Sequence, residues 1–284
     1  MEMILALLLL LQDKVEMKDV KSSYLLSRPA AYSDRVSWPA ILDLGGGKDA
    51  VREPDCFVVT PADPRNEAAT LACLTDLKTK YRVNPERIIV RGGAEALALA
   101  AAHPELFGGC AIQQSRAFAP ASKAPPCVVF FSVTDPDRAK IIAAAMVMKK
   151  SGVDIDLRPA TDAPGAILDA VGAKIRVRGD LPRADEFQRQ GRYLDATLVC
   201  IDLLEKPEVE RLARTKLKSI EGLAIIEMSK VEIAVSDRKL KDAVLRCREA
   251  ARQFAWVPPG ERIRKRLAEL ESRPDVKKAL ETDD

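Results

Sequence analysis

The sequence predicts an α/β protein: a doubly wound, mostly parallel sheet followed by an all-α helical hairpin region. Over the first 172 residues, short apolar runs alternate with helical segments, a pattern typical of a parallel sheet covered on both faces. After residue 182 no run suggests a buried strand, and leucines and alanines recur at helical spacing beneath charged side chains. Hydrophobic residues make up 47% of the 284 residues, which is enough for a substantial core.

The chain begins with an apolar segment, Ile4 to Leu11. It is too short to span a bilayer, which takes about 20 residues, but it fits the hydrophobic core of a secretory signal. Residues 1–12 are therefore predicted to be a signal segment that exports the protein to the periplasm or the cell exterior, and any membrane contact is expected through this segment alone. The alternatives are an N-terminal strand or helix within the fold, and a cytoplasmic protein.

The predicted α/β domain spans residues 13–172, and its elements follow from apolar runs and helical periodicity. Strands are predicted at 24–26, 40–44, 55–61, 88–90, 109–113, 127–133 and 155–157, and helices at 67–81, 94–102, 139–150 and 166–171. A linker is expected at 173–182, where Gly172, Gly179 and Pro182 interrupt the pattern.

The helical region spans residues 183–284. Its breaks at Lys206-Pro207, Ser236-Asp237 and 257–260 separate the helical segments, and Ser236 or Asp237 is predicted to be a helix N-cap. Helices are predicted at 184–205, 207–235, 238–254, 259–273 and 276–280.

The chain is organised around residues 84–107, which indicate a strand, a tight turn and a helix. Ile88-Ile89-Val90 suggests a buried strand, Gly92-Gly93 allows a sharp reversal, and the alanine-rich run from Ala94 favours a helix. This order is the frame of a nucleophile elbow, the G-x-S-x-G turn that presents a serine above a sheet. Here the turn reads Gly92-Gly93-Ala94-Glu95-Ala96, so alanine stands where the serine would be.

The amino-acid composition argues against several classes of partner and cofactor. The formal net charge is +3 and aromatic residues are only 5% of the chain, which argues against nucleic acid as a partner. The six cysteines form no C-x-x-C pair, so neither a metal site nor another cofactor is expected. The cysteines are expected to be buried free thiols, and one disulfide is the alternative if the protein is exported.

Several motifs, in order, resemble the α/β-hydrolase family, specifically its esterase and dienelactone-hydrolase-like members. Residues 24–32 and 38–42 resemble the family's entry strands, Gly45-Gly46-Gly47 its H-G-G-G oxyanion loop, and residues 76–90 its passage into the elbow. Residues 103–107 resemble the end of the elbow helix, and 131–136 the loop that carries the catalytic acid. The resemblance covers about 140 residues and implies the hydrolase fold.

The family's catalytic residues do not carry over. Its nucleophile falls on Ala94, and its catalytic histidine would lie in or just after residues 159–164, which contain no histidine. The chain's one histidine, His103, matches a structural position and is expected to pack or cap. Asp135 corresponds to the catalytic acid, but an acid without an imidazole cannot support general-base catalysis, so a turn-stabilising role is expected.

Other residues near the turn are candidate substitutes for the missing catalytic groups. Glu95 could place a carboxylate at the edge of the sheet with Arg91 as its partner, or the two side chains could simply pair with each other or face water. The serines Ser115, Ser122 and Ser132 follow later strands and not the elbow. The vestigial site is thus Gly45, Gly46, Gly47, Gly92, Gly93, Ala94, Glu95 and Asp135, with no catalytic residue among them.

The region after residue 183 resembles a degenerate tetratricopeptide-like array, with one unit around residues 186–196 and another around 240–258. The sequence leaves three alternative functions. The first is a non-catalytic hydrolase-like protein that binds a small ligand or a protein, the second an active esterase with displaced catalytic residues, and the third a helical scaffold that contacts a protein partner.

Overall fold

The structure is a computed structural model. It describes residues 12–17, 22–45, 53–113, 118–132, 134–160 and 165–281. These residues form two compact units. The α/β unit comprises the described residues up to Leu77 together with Arg82–Arg178, and the helical unit comprises Lys78–Tyr81 and the described residues from Gly179 onward. The predicted signal segment lies outside the described residues, apart from its last residue, Gln12.

The described residues of the α/β unit form an eight-stranded sheet with the order β1-β2-β4-β3-β5-β6-β7-β8. β1 and β2 run antiparallel to their neighbours, and every pairing from β4 through β8 is parallel. The strands are β1 (Gln12–Met17), β2 (Ser22–Ser27), β3 (Trp38–Asp43), β4 (Phe57–Pro61), β5 (Val83–Gly92), β6 (Gly109–Gln113), β7 (Cys127–Phe131) and β8 (Ile155–Pro159).

Helices cover this sheet. Every residue of β7 is buried, and since successive side chains of a strand point to opposite faces, both faces of the sheet centre are shielded from water. On one face, Ile167, Ala170 and Val171 of the last helix pack onto apolar residues of the central strands. The helices of this unit are α1 (Glu67–Lys80), α2 (Ala94–Ala102), α3 (Arg138–Lys150) and α4 (Ala166–Gly172).

The predicted fold class is confirmed, and two details of the sheet differ from prediction. β1 is not predicted, because its residues QDKVEM lack a clear apolar run. β5 begins at Val83, so Asn84-Pro85, predicted to be part of a connection, belongs to the strand. The register between β3 and β5 shifts between Trp38 and Ala40. Pro39 lies at this irregularity, where a proline is tolerated because no N–H is needed for the strand pairing.

The helical unit consists of helices that pack largely against their neighbours in sequence. Its interior contains Phe187, Ile220, Val244, Phe254 and Ile263, all almost completely buried. The helices are α5 (Leu181–Arg189), α6 (Tyr193–Leu203), α7 (Glu210–Ser236), α8 (Leu240–Gln253), α9 (Pro258–Ser272) and α10 (Pro274–Glu281).

Two predictions about this unit are wrong. The single helix predicted at 184–205 is interrupted at Gly191, which has a φ of 74° and ends α5 in the left-handed conformation that glycine tolerates. Neither Ser236 nor Asp237 is an N-cap: α7 continues through Ser236, Asp237 is its C-cap, and Lys239 precedes α8. The chain reverses at Arg238, whose φ is 60°.

The close approach of Gly108 to β5 gives a stability prediction. A Cβ at Gly108 would lie 2.1 Å from the Glu86 carbonyl oxygen, whereas one at Gly172 would come no closer than 3.9 Å to Leu168. Gly108→Ala should therefore lower the free energy of unfolding by about 1–3 kcal/mol. Gly172→Ala, at the end of α4, should leave it unchanged or raise it by up to about 1 kcal/mol.

Urea unfolding of the two variants and the wild-type protein measures this difference. Equal stabilities of the Gly108→Ala and Gly172→Ala variants would contradict the close approach.

Candidate functional site

The turn after β5 leads the chain directly from a strand into a helix. β5 ends at Gly92, Gly93 is the N-cap residue of α2, and the helix begins at Ala94. A Cβ at Gly92 would lie within 2.9–3.2 Å of the Glu95 carboxylate, Ala96 and Leu44, so the tight turn requires glycine. Ala94 is exposed at the first position of the helix and presents only a methyl group.

The Glu95 side chain folds back onto this turn. Its Oε1 accepts a hydrogen bond of 2.6 Å from the Gly93 N–H. A carboxylate in the first turn of a helix satisfies an unpaired N–H and interacts favourably with the helix dipole. Glu95 therefore stabilises the start of α2. Of the two alternatives predicted for Glu95, pairing with Arg91 is not observed, and the side chain is exposed to water.

Arg91 instead joins Asp43 and Gln113 in a cluster at the carboxyl edge of the sheet, called here the edge cluster. Arg91 Nη1 donates to Asp43 Oδ2 at 2.9 Å, and Arg91 Nε donates to Gln113 Oε1 at 2.6 Å. The three residues end or nearly end β3, β5 and β6, and the register places Asp43 directly beside Arg91. In the described part of the chain, Arg91 Nη2 and Gln113 Nε2 donate to no protein group.

Asp43 is the buried acidic residue of the edge cluster, and its burial disfavours the charged form of the carboxyl. Desolvation raises the pKa of its carboxyl, while the Arg91 charge and the hydrogen bonds from Gly45 and Arg91 lower it only in part. Since Arg91 keeps a guanidinium charge at any ordinary pH, the pair is held together by a charge-assisted hydrogen bond.

The glycine loop after β3 is only partly within the described residues. The N–H of Gly45 donates to Asp43 Oδ1 at 3.1 Å, so this amide is already occupied. Gly46 and Gly47, the other two glycines of the predicted oxyanion loop, lie outside the described residues. No oxyanion hole is therefore identified among the described glycines of this loop.

Asp135 lies in the turn between β7 and α3. Its Oδ1 accepts a hydrogen bond of 2.8 Å from the Asp137 N–H, the geometry of an Asx turn. Its Oδ2 is buried and has no hydrogen-bond partner among the described residues. Asp135 thus shapes its own loop through one oxygen.

A second buried carboxylate, Glu53, lies against the start of α4. Its Oε1 accepts a hydrogen bond of 3.0 Å from the Ile167 N–H, while its Oε2 is buried without a partner in the described part of the chain. Burial raises the pKa of Glu53, and backbone hydrogen bonds from Ile167 and Leu168 partly oppose that rise. The sequence motifs did not reveal Glu53.

The residues that could replace a serine–histidine pair are engaged elsewhere. His103 is the C-cap residue of α2, about 13.5 Å along the helix from Ala94, and its Nε2 lies 2.8 Å from Glu67 Oε1. Ser132 is exposed, and its hydroxyl lies 2.8 Å from that of Thr134. Ser122 is also exposed, and Ser115 lies outside the described residues.

The cysteines are buried side chains. All six are buried and free. Burial raises the pKa of Cys73 and Cys200 to about 12 and that of Cys247 to about 11, and thiols of this kind are inert because the thiolate is the nucleophile. The described residues hold no cluster of three His, Cys, Asp or Glu side chains suited to a metal ion.

A cleft of about 690 Å³ lies within the helical unit, between α5, α6 and α7. An ion pair between Asp185 of α5 and Lys216 of α7 lies in its wall. The residues that line it are Pro182, Asp185, Gln188, Arg189, Tyr193, Lys216 and Leu223.

Among the helices that the structure describes, none combines the length and the apolar character needed to cross a bilayer.

The sequence predicted the strand, the Gly92-Gly93 turn and the helix, but it did not predict the edge cluster. Asp43 and Gln113 are polar residues at the ends of the apolar runs WPAILD and GCAIQ, and Arg91 follows the run IIV. Because the carboxyl ends of parallel strands share one edge of a sheet, these three polar ends could have been predicted to lie near one another. Which strands are neighbours, however, depends on the strand order.

Comparison with known proteins adds structural likenesses only. No protein-family model and no curated protein match this sequence. A thermostable esterase is 14% identical with a TM-score of 0.42, over 52% of this chain and 54% of that enzyme. Esterase 2 of the planctomycete Thermogutta terrifontis is 15% identical with a TM-score of 0.39, over 63% of this chain and 92% of that one. An esterase structure from the fungus Rhizomucor miehei is 11% identical with a TM-score of 0.42, over 69% of this chain and 84% of that one.

The structure defines the class of protein as mixed α/β. An eight-stranded, mostly parallel sheet is followed in the chain by helices.

The raised pKa of Asp43 predicts a specific pH dependence. A buried acid with a raised pKa stabilises the fold at a pH below its unfolded value, here 3.8, and this contribution is lost as the pH rises through the folded value. Asp43→Asn removes this titration. The stability of the wild-type protein minus that of Asp43→Asn should therefore fall as the pH rises from 3.8 toward neutrality.

Urea unfolding of both proteins across this range measures the difference, in which the titrations of other groups cancel. A difference that rises with pH would show that Arg91 lowers the pKa of Asp43 below its usual value.

Proposed function

We propose that this protein is a non-catalytic α/β-hydrolase-like protein that binds a small ligand at the edge cluster without cleaving it. The observation that carries the proposal is the methyl group of Ala94 at the position after the Gly92-Gly93 turn, where the fold presents its nucleophile. A methyl group can neither attack a carbonyl carbon nor form an acyl intermediate.

The absence of a base supports the same conclusion. The chain has one histidine, and His103 lies at the other end of α2 beside Glu67. Asp135 is engaged with the backbone of its own turn. Nucleophile, base and acid act as a unit, so the loss of two members removes nearly all of the catalytic advantage.

The edge cluster supports binding. Asp43 and Gln113 hold the Arg91 side chain in place, and a preorganised side chain loses little entropy when a ligand binds. Among the described residues nothing accepts from Arg91 Nη2 or Gln113 Nε2, so these two donors remain for a ligand. Two adjacent N–H donors, one of them cationic, favour a small molecule with a carboxylate or carbonyl oxygen.

The first test is hydrolysis. The purified protein should cleave p-nitrophenyl acetate no faster than buffer and should not be labelled by a fluorophosphonate probe, because neither a serine nor an imidazole stands at the elbow. Ala94→Ser adds a hydroxyl but no base, so turnover should remain at background. Spectrophotometric rates and in-gel fluorescence are the readouts.

An active hydrolase with displaced catalytic residues is the competing function, and the same assays identify it. Labelling or turnover that persists in Ala94→Val and disappears in Ser132→Ala or Ser115→Ala would establish that function and overturn the proposal.

The second test is ligand binding. Titration calorimetry with acetate, propionate and butyrate should detect saturable binding of at least one of them. Arg91→Gln should weaken that binding by about tenfold, because a charge-assisted hydrogen bond is lost. Gln113→Leu, which leaves the Asp43–Arg91 pair intact, should weaken it to a smaller extent.

Arg87→Gln is the matched control, because it removes the same charge from β5 four residues before Arg91. Equal losses in Arg87→Gln and Arg91→Gln would indicate a general charge effect. If none of the three carboxylates binds, the proposed ligand class is wrong.

A further inference from the structure

Two cysteines lie side by side on neighbouring strands of the sheet. Cys110 is the second residue of β6, and Cys127 is the first residue of β7. The parallel register of the two strands pairs Cys110 directly with Cys127. Because successive side chains of a strand point to opposite faces, two residues paired in this way project from the same face of the sheet.

The two thiols are in contact inside the α/β unit. The Cys127 side chain lies within hydrogen-bonding reach of the Cys110 thiol, and this contact together with burial raises the pKa of Cys110 well above its ordinary value. The Cys127 thiol donates to the Pro125 carbonyl oxygen at 3.0 Å, so its sulfur is available as an acceptor for Cys110. Both cysteines are fully buried, and both are free thiols in the structure.

The spacing of the backbone suits a disulfide at this position. Neighbouring strands lie about 4.8 Å apart, and the Cα atoms of disulfide-bonded cysteines are usually about 4.4–6.8 Å apart. A bond between the two sulfur atoms therefore requires rotation of the side chains but no change in the pairing of β6 with β7.

The other cysteines do not share this arrangement. Cys56 precedes β4, and Cys73, Cys200 and Cys247 lie in helices. Strand register therefore pairs none of these four with another cysteine. The fold selects a single cross-strand pair from the six thiols of the chain.

We propose that Cys110 and Cys127 form a disulfide when the chain folds in the presence of a disulfide oxidant such as oxidised glutathione. One cysteine thiolate attacks the oxidant and releases one glutathione thiolate, and the second cysteine thiolate then displaces the other glutathione from the mixed disulfide. The two cysteines lose two electrons, the oxidant is reduced to two glutathione molecules, and these take up the two thiol protons.

This inference goes beyond the proposed function, because it requires neither a ligand nor hydrolysis. It concerns the same sheet, since β6 ends at Gln113 of the edge cluster. A bond between Cys110 and Cys127 would hold β6 covalently against β7 and would fix the register that places Gln113.

Complete burial determines when the bond can form. In the native protein an oxidant in solution reaches neither sulfur, and the raised pKa of Cys110 keeps its thiol protonated. In the unfolded chain both thiols are accessible and have ordinary pKa values. The bond should therefore form during folding, when the pairing of β6 with β7 brings the two sulfur atoms together.

Oxidative refolding tests the proposal. The full chain is reduced, unfolded in urea and refolded in a mixture of oxidised and reduced glutathione, and the remaining thiols are then alkylated under denaturing conditions. Peptide mapping by mass spectrometry without reductant should show Cys110–Cys127 as the main disulfide of the folded fraction. A folded fraction with all six thiols alkylated, or with other cysteine pairs equally abundant, would overturn the proposal.

The disulfide should also change stability. Disulfides that close loops of about 15 residues stabilise a protein enough to lower its unfolding equilibrium constant by about a hundredfold, and the loop from Cys110 to Cys127 is of similar length. Urea unfolding of the refolded protein, with and without dithiothreitol, measures this difference for the α/β unit. Equal stability of the oxidised and reduced proteins would contradict a disulfide between β6 and β7.

Cys127→Ala and Cys73→Ala are the matched variants, because each removes one fully buried thiol. Cys73→Ala should keep the effect of dithiothreitol on stability, and Cys127→Ala should lose it. Comparing the oxidised and reduced forms of one variant cancels the cost of the substitution itself, and Cys110→Ala repeats the test from β6. A redox effect in Cys127→Ala as large as that in the wild-type protein would assign the effect to other cysteines and overturn the proposal.

Discussion

The parallel pairing of β3, β5 and β6 is the constraint on which the rest of the site depends. It places Asp43 beside Arg91 and brings Gln113 next to both, so one cationic side chain is held between two acceptors at the carboxyl edge of the sheet. The same pairing directs β5 into the Gly92-Gly93 turn and so determines where α2 begins. Sheet register therefore decides the composition of the site as well as its position.

The chemistry at this edge of the sheet depends on which groups the charged side chains bind. Asp43 is buried but bonded to Arg91, and Glu95 is bonded to the Gly93 N–H. A carboxylate engaged in this way stabilises local structure. The edge thus presents hydrogen-bond donors on Arg91 and Gln113, which suit recognition of an oxygen-bearing ligand better than proton abstraction.

The long helix α7 has one buried face and another face with exposed apolar side chains. Small buried residues of α7, such as Ala213 and Ala224, allow neighbouring helices to pack closely against its inner face. On the other side of α7, Leu212, Ile226 and Ile233 are exposed. Both faces arise from one sequence, because 3.6 residues per turn distribute successive side chains around the axis.

Local sequence determined much of this protein: the alternation of strands and helices, the glycine turn after β5, and the absence of serine and histidine from the elbow. These features depend on nearest neighbours, backbone freedom and residue identity, which can be recognised without coordinates. The polar β1, the continuation of β5 through Pro85 and the break at Gly191 were missed, because pairing partners and helix packing override local preference there. The edge cluster was decided by tertiary structure alone, since Asp43, Arg91 and Gln113 are far apart in sequence and meet only when the strand order makes their strands neighbours.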